Sequence, residues 1–269
     1  TDDGDGGSEG TGHVYSLNKK TGEVVDSIDV VGDQRSSIAY DKTSGKIFFT
    51  TKAGYLYSMK LNSNGTFDKS SLLRSEKQVQ CTSTPIVHNG RVYYGTGVLN
   101  GKGKMIVADA TTLKTIYEVP LKGYPQASPL LSTAYEKSEG KVYIYVTYNE
   151  LPGGIAVIED APGQTEAKVS ELFDVPSDIQ QYCIASPICD SNGTIYYKND
   201  SSHIIAIENT KKSADVNITF DSDNGQEAVV KTVSEDEVLD YTPEAPTKNG
   251  YVFVGWYKNV DDIKTEYKS

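Results

Sequence analysis

The sequence predicts an all-β chain whose main part is a β-propeller of four-stranded blades, an incomplete ring, followed by a small module of a different make. Three observations carry this. Four segments line up on their own letters, "GKIFFTT", "GRVYYGT", "GKVYIYVT" and "GTIYYKN", beginning at Gly45, Gly90, Gly140 and Gly193 with spacings of 45, 50 and 53. Each is preceded by a shorter apolar piece and followed by a third β-branched or aromatic piece and a polar turn. After Ala214 the period stops. Four short strands recurring every 45 to 53 residues with Gly/Asn/Asp turns between them is the period of a propeller blade. A four-stranded twisted sheet cannot cover its own two faces, so such blades stack face to face around an axis.

In chain order, "HVYSLNKKTGEVVDSI" at 13–28 reads as the third and fourth strands of a blade that lacks its first two, so the chain starts inside a blade and further blades are expected upstream. The first strands of the next four blades are "SSIAYD", "STPIVHN", "ASPLLST" and "ASPICDS", with Pro85, Pro129 and Pro187 at one register and Ser37 taking that place in the first copy. The Gly-initiated segments are the second strands. "YLYSMK", "MIVADA", "IAVIED" and "HIIAIE" are the third, and pieces such as "TIYEV" and "VSELF" the fourth. About four and a half blades therefore occupy residues 1–209, with 210–213 as a linker and 214–269 as the second domain.

"STPIVHNGRVYYGT" and "HVYSLNKKTGEVV" resemble the pyrroloquinoline-quinone-like (PQQ-like) propeller repeat, whose core runs S-P, two apolar residues, a turn, G-x-V-Y, then L-Y-A-L-D and a T-G turn. The likeness covers about residues 1–209. It departs at the fourth strand, where the family often places a Trp and this chain has Val25, Tyr117 and Phe173. Quinone-using members also tend to carry an adjacent Cys-Cys pair, and this chain has none. The resemblance thus implies the scaffold without the PQQ cofactor.

The tail, "VNITFDSDNGQ" through "YTPEAPTKNGYVFVGWYKN", is similar to the Listeria/Bacteroides repeat, also called the internalin B-repeat-like module. Phe220, Asp221, Gly225, Pro243, Pro246, Thr247, Gly250, Tyr251, Phe253, Gly255, Trp256 and Tyr257 match its pattern. The resemblance implies a β-grasp-like fold, strung along bacterial surface proteins as a spacer or adhesive unit. Its closing strand is not found by Ser269, so the module is expected to be truncated. Trp256, the only tryptophan, reads as a core residue of this small domain, and "GYVFVGWYKN" as an alternating aromatic strand.

Composition narrows the function classes. Asp+Glu 37 against Lys+Arg 26 gives a net charge of −11, a field that repels phosphate backbones and anionic lipid heads, so nucleic acid and membrane surfaces are poor partners. No run of 18 apolar residues and no charged-then-apolar leader is present, so a signal and an anchor are expected outside this segment. Cys183 and Cys189 lie six residues apart on one predicted strand, about 20 Å at about 3.3 Å per residue, too far for a disulfide. Cys81 and Cys183 hold equivalent places two blades apart, so free thiols are expected.

Several candidate sites have plainer readings. "TDDGDGGSEG" offers Asp2, Asp3, Asp5 and Glu9, hard oxygen ligands that would suit calcium, but the EF-hand spacing is not met and a Gly/Asp-rich loop is more often a solvated turn. "GTGVLNGKGK" at 95–104 is glycine-rich, yet no Ser or Thr follows its lysine and no helix pattern follows the loop, as a phosphate cradle requires. His13, His88 and His203 show no metal spacing, and no nucleophile–base motif appears. Asn64, Asn192, Asn199 and Asn217 fit N-x-[ST] and read as turn and strand residues.

What remains is the propeller face on which the loops leading into each inner strand meet the loops between second and third strands. The inner loops carry Gln34, Arg35, Gln80, Tyr124, Gln126, Gln181 and Tyr182, with Tyr148 and Glu150 in a nearby long loop. Amides and phenols of this kind hydrogen-bond and stack on sugars or peptide groups without chemistry. The expectation is a non-catalytic, extracellular protein of a bacterial cell surface, part of a longer chain, its propeller binding a glycan or protein. The alternatives are a quinoprotein-like or carbohydrate-active propeller enzyme and a scaffold for envelope assembly.

Overall fold

The computed structural model describes residues 9–208, 215–234, 239–260 and 263–266. The chain divides into two compact units, the first ending at Glu208 and the second beginning at Asn209.

The first unit is a succession of antiparallel meanders. A two-stranded sheet, β1 (Thr11–Leu17) and β2 (Val24–Val31), is followed by three four-stranded sheets and one of three strands. The four-stranded sheets are β3 (Ala39–Asp41), β4 (Lys46–Thr51), β5 (Tyr55–Leu61) and β6 (Phe67–Arg74); β7 (Ile86–His88), β8 (Arg91–Gly97), β9 (Gly103–Asp109) and β10 (Thr115–Leu121); and β11 (Leu130–Ser132), β12 (Val142–Tyr148), β13 (Gly154–Asp160) and β14 (Val169–Glu171). The last sheet is β15 (Ile188–Cys189), β16 (Ile195–Lys198) and β17 (Ile204–Ile207). A single helical turn, α1 (Glu136–Glu139), interrupts the connection from β11 to β12. These are propeller blades, and the ring they form is incomplete.

The repeated glycine has a common cause. Gly45, Gly90, Gly140 and Gly193 have φ of 67°, 78°, 70° and 86°, so the tight turn into each second strand uses a left-handed conformation that costs glycine nothing. The strand starts also correct the register of the first copy. Pro85, Pro129 and Pro187 each stand one residue before a first strand, and the residue before β3 is Ile38, not Ser37. Ser37 aligns instead with Thr84, Ser128 and Ser186. Its backbone N–H donates to Thr84 Oγ1 at 2.9 Å, as that of Ser128 does to Ser186 Oγ at 3.1 Å.

The core is divided into layers, one between each pair of consecutive sheets. Val14 and Val30 meet Ile47, Phe49, Tyr57 and Met59 between the first two sheets. Phe48 and Leu56 meet Val92, Tyr94 and Ile106 between the second and third. Tyr93, Met105 and Val119 meet Ile144, Val146 and Ile158 between the third and fourth. Ile155 meets Cys183, Ile195, Tyr197 and Ile205 between the fourth and fifth. Alternate residues of one strand thus serve two layers, the consequence of a two-residue side-chain period in a sheet covered on both faces.

All three thiols are free, with Cys81 and Cys183 buried and Cys189 exposed. Cys183 lies in an inner loop and Cys189 in β15, so the two do not share a single strand as the sequence suggested. Burial pushes the Cys81 thiol up to about 12, which leaves it an inert small apolar group.

Asp26 ties the first sheet to the second. Its carboxylate pairs with Lys69 at 2.9 Å and accepts the N–H of Phe67 at 2.9 Å, and these contacts hold it down to about 2. A carboxyl depressed in the folded state contributes stability that is present above its unfolded value, near 3.8, and lost as pH falls through about 2. Thermal melts between pH 5 and 2 should therefore show a loss of stability over pH 4 to 2 that is smaller in Asp26→Asn.

The second unit holds two hairpins among its described residues: β18 (Asp215–Phe220) with β19 (Val229–Ser234), and β20 (Tyr257–Val260) with β21 (Ile263–Glu266). Trp256 packs edge-on against Phe220 and Phe253, each at 5.6 Å, and its Nε1–H donates to the Pro243 carbonyl at 3.3 Å. It stands in the middle of this unit's aromatic cluster but is only half-buried. Residues 251–256, however, form no strand; the strand begins only at Tyr257.

Candidate functional site

One backbone hydrogen bond recurs in four blades and defines the face of interest. The carbonyls of Asp33, Gln80, Tyr124 and Tyr182, in the loops leading to the inner strands, accept the N–H of Lys52, Gly97, Asn149 and Asp200, at or just past the ends of the second strands. Their distances are 2.8, 3.0, 2.9 and 2.9 Å. Each inner loop is thereby clamped to the second-to-third-strand loop of its own blade. A second set of bonds joins neighbours: Thr50 Oγ1 donates to the Ser83 carbonyl and Thr147 Oγ1 to that of Ala185, both at 2.7 Å, and Ser83 Oγ to that of Ala127 at 2.8 Å. At the position equivalent to Thr50 and Thr147 the third sheet has Gly95, where a Cβ would meet the Pro125 carbonyl at 2.2 Å. The side chain is missing there because the next inner loop fills its place.

The predicted residues divide into three groups. Gln34, Tyr124 and Tyr148 are buried, at 5%, 1% and 2% exposure, and do not offer their polar groups to solvent. The Gln34 amide donates to the Ser36 carbonyl. The Tyr124 ring lies over Gly97 and its hydroxyl meets Thr82 Oγ1 at 3.1 Å, with burial pushing the phenol up to about 12. Tyr148 turns away toward the outer strand and donates to Glu171 Oε2 at 2.7 Å. These three are supports, a correction that follows from their packing under the loops. Arg35, exposed, pairs with the buried Asp33 carboxylate, and Gln80 is held through its backbone to Gly97 on both sides.

The third group comes together. Gln126, Glu150, Gln181 and Tyr182, all half-buried, lie on three loops that touch, at 122–127, 149–153 and 179–183. Gly123 lets Glu150 close in, since a Cβ there would sit 2.4 Å from that of Glu150. The Gln181 N–H donates to the Pro152 carbonyl at 3.2 Å, and the side-chain oxygen of Gln181 accepts the N–H of Tyr182 at 3.2 Å. At the junction stands Asn149, which the sequence reading missed. Its Nδ2 donates to Gln126 Oε1 at 2.7 Å, and its Oδ1, buried in a residue only 5% exposed, has no hydrogen-bond partner. A buried carbonyl oxygen without a donor costs about 1–3 kcal/mol of desolvation, and since this one has no surface of its own, Asn149 is a support that orients the half-buried Gln126 amide. In-phase alignment with Lys52, Gly97 and Asp200 was the signal that could have found it.

Asp2, Asp3 and Asp5 lie outside the described residues, and Glu9 pairs with Lys77. No group of three metal-ligating side chains occurs among the described residues. The histidines sit apart: His13 meets Asp29 and His88 meets Glu136, both at 2.8 Å, while His203 bonds to Ser201. The glycine-rich stretch at 95–104 is the hairpin from β8 to β9, with Gly97 and Gly103 packed beneath Tyr124 and Pro125.

Comparison with known proteins agrees with this architecture. Residues 217–269 match the Listeria-Bacteroides repeat domain. No curated protein matches the chain in sequence. Among solved structures, the quinohemoprotein alcohol dehydrogenase of Comamonas testosteroni is similar over 73% of this chain and 38% of its own, at 15% identity and a TM-score of 0.51. A quinohemoprotein alcohol dehydrogenase of Pseudomonas putida HK5 aligns with 72% of this chain and 37% of its own, at 14% identity and a TM-score of 0.45. BamB of Moraxella catarrhalis aligns over 76% and 72%, at 14% identity and a TM-score of 0.37. The chain thus spans well under half the length of the two dehydrogenases. The class these observations define is a β-propeller joined to a segment that matches the Listeria-Bacteroides repeat domain. Repeats of that kind are typical of extracellular proteins, and among the described residues no helix is long and apolar enough to cross a membrane.

Proposed function

We propose that the chain is a non-catalytic recognition protein of the bacterial cell surface, its propeller binding a glycan or polypeptide at the loops around Asn149 and its repeat module serving as spacer. The observation that carries this reading is the convergence of the half-buried Gln126, Glu150, Gln181 and Tyr182 on three touching loops, with the Gln126 amide oriented by Asn149. Hydroxyls of a sugar or backbone groups of a peptide can bond to these side chains, since the amides both give and accept and the carboxylate accepts. The dispersal of the histidines and the burial of Cys81 and Cys183 in separate core layers support binding without catalysis and without a quinone.

An array of bacterial and host glycans together with extended peptides tests it. Gln126→Ala should lower affinity for a hit by about tenfold, the worth of one hydrogen bond of about 1.4 kcal/mol, at an unchanged melting temperature. Hydrolysis or oxidation of the bound compound, or full binding by the double variant Asn149→Ala, Gln126→Ala, would overturn the proposal.

A further inference from the structure

The loops that meet at the rim also carry aliphatic side chains. Leu151, next to Glu150, is 51% exposed, and Ile184, two residues past Tyr182, is 57% exposed. Their segments lie against each other: the Gln181 N–H reaches the Pro152 carbonyl, and a Cβ on Gly153 would sit 2.0 Å from the Gln181 carbonyl oxygen and 3.8 Å from the Cβ of Cys183. Singly, an exposed leucine or isoleucine is ordinary. Here both stand on the pair of touching loops that bears Glu150, Gln181 and Tyr182.

The aromatic groups go the other way. Tyr124 and Tyr148 are buried, Tyr182 is half-buried, and the tyrosines exposed in the first unit, Tyr15, Tyr40 and Tyr135, sit on β1, on β3 and at the start of α1. A sugar ring packs its C–H face on an exposed aromatic plane, and these loops offer none. Aliphatic anchors beside amides suit a polypeptide, whose apolar side chains cover Leu151 and Ile184 while its backbone N–H and C=O groups bond the Gln126 and Gln181 amides. Charge narrows the ligand further. Glu150 Oε1 accepts the Leu151 N–H at 3.0 Å, the carboxylate joins no ion pair among the described residues, and Lys122 on the adjoining loop pairs with Glu171 at 3.3 Å. The net charge of −11 acts in the same direction and draws a cationic partner.

We infer that this part of the rim takes a polypeptide and not a glycan: an exposed segment of a partner protein with one Lys or Arg flanked by aliphatic residues. The basic residue meets Glu150 and fixes the register, while the aliphatic ones lie on Leu151 and Ile184 and supply most of the affinity. The inference rests on the recognition role proposed above and names its ligand class.

The probes are a glycan array and a positional library of acetylated, amidated heptapeptides, both read with the full chain. The expected hits are peptides with Lys or Arg at one position and Leu, Ile or Val beside it. For the best of them, exchange of the basic residue for norleucine should weaken binding about fivefold, the worth of one partly exposed ion pair. Glu150→Gln, which keeps the oxygen that accepts the Leu151 N–H, should weaken the parent peptide equally and leave the norleucine peptide unchanged. Ile184→Ser, at an exposed position, should weaken both peptides about fivefold at an unchanged melting temperature. Glycan hits lost in Gln126→Ala, with no enrichment among the peptides, would overturn this inference and leave the recognition role standing. Peptide hits that bind fully to Ile184→Ser, or whose basic residue is indifferent to Glu150→Gln, would overturn it as well. No hit in either collection would overturn both readings.

Discussion

Replacing Asp160 by alanine is expected to destabilise the propeller unit by about 3–5 kcal/mol, the cost of removing one partner of a buried ion pair. Asp160, at the end of β13, is 1% exposed and reaches back to the preceding blade. Its Oδ1 pairs with Arg91 Nη1 at 2.8 Å and accepts from the Tyr117 hydroxyl at 2.5 Å, and its Oδ2 accepts from the Tyr93 hydroxyl at 2.7 Å. Arg91 also donates to the Gln164 carbonyl at 2.9 Å. One carboxylate therefore joins β8, β10 and the loop after β13 across the boundary between two blades. Burial, and then the bond to this carboxylate, push both phenols above their ordinary range, so each stays a donor. Alanine would leave two buried hydroxyls without an acceptor and the guanidinium with only the Gln164 carbonyl. Asp160→Asn keeps the shape and one acceptor and should lose less. Urea unfolding checks both, with the midpoint falling at constant slope if the native state alone is affected.

The propeller was readable because its cause is local and repeated. A glycine at positive φ before Ile47, Val92, Val142 and Ile195, followed by alternation of large apolar residues, marks each second strand and recurs in phase. The Asp160 network was not readable: Arg91, Tyr93, Tyr117 and Asp160 are spread over three strands and nothing in their local sequence pairs them. The rim was half readable. Topology alone identified the loops, yet Tyr124 and Tyr148, chosen as phenols for a ligand, turned inward because Gly97 and Gly154 vacate the space their rings occupy. Asn149 was overlooked because its importance comes from the bond by which it orients Gln126 on a neighbouring loop, a property of packing and not of residue type. In the tail the motif identified the module, while exposure of Tyr251, Val252 and Val254 at 72%, 87% and 81% was beyond any strand pattern.

Phe48→Ala and Phe49→Ala are each expected to cost about 3–5 kcal/mol, since both rings are completely buried, yet they should loosen different parts of the molecule. Phe49 stacks on Tyr57 at 5.3 Å and faces the two-stranded sheet, where Val14 and Val30 complete the layer. Phe48, one residue earlier, points the other way into the layer with Val92, Tyr94 and Ile106. The two-stranded sheet is held to the second one through that layer, the bond from Val31 N–H to the Tyr57 hydroxyl at 3.1 Å, and the Asp26 contacts. Removing the Phe49 ring should thus accelerate amide exchange in β1 and β2 ahead of β8 and β9, because stacked repeats lose stability at the affected interface first. Removing Phe48 should open the boundary between the second and third sheets and accelerate β4 and β8 together. If both variants instead gave one uniform loss of protection, the blades would form a single cooperative block and neighbour-by-neighbour stacking would not describe their energetics. Distinct patterns from adjacent residues would mean that each strand carries two separable interfaces, so a ligand at the rim could stabilise one blade pair without altering the rest.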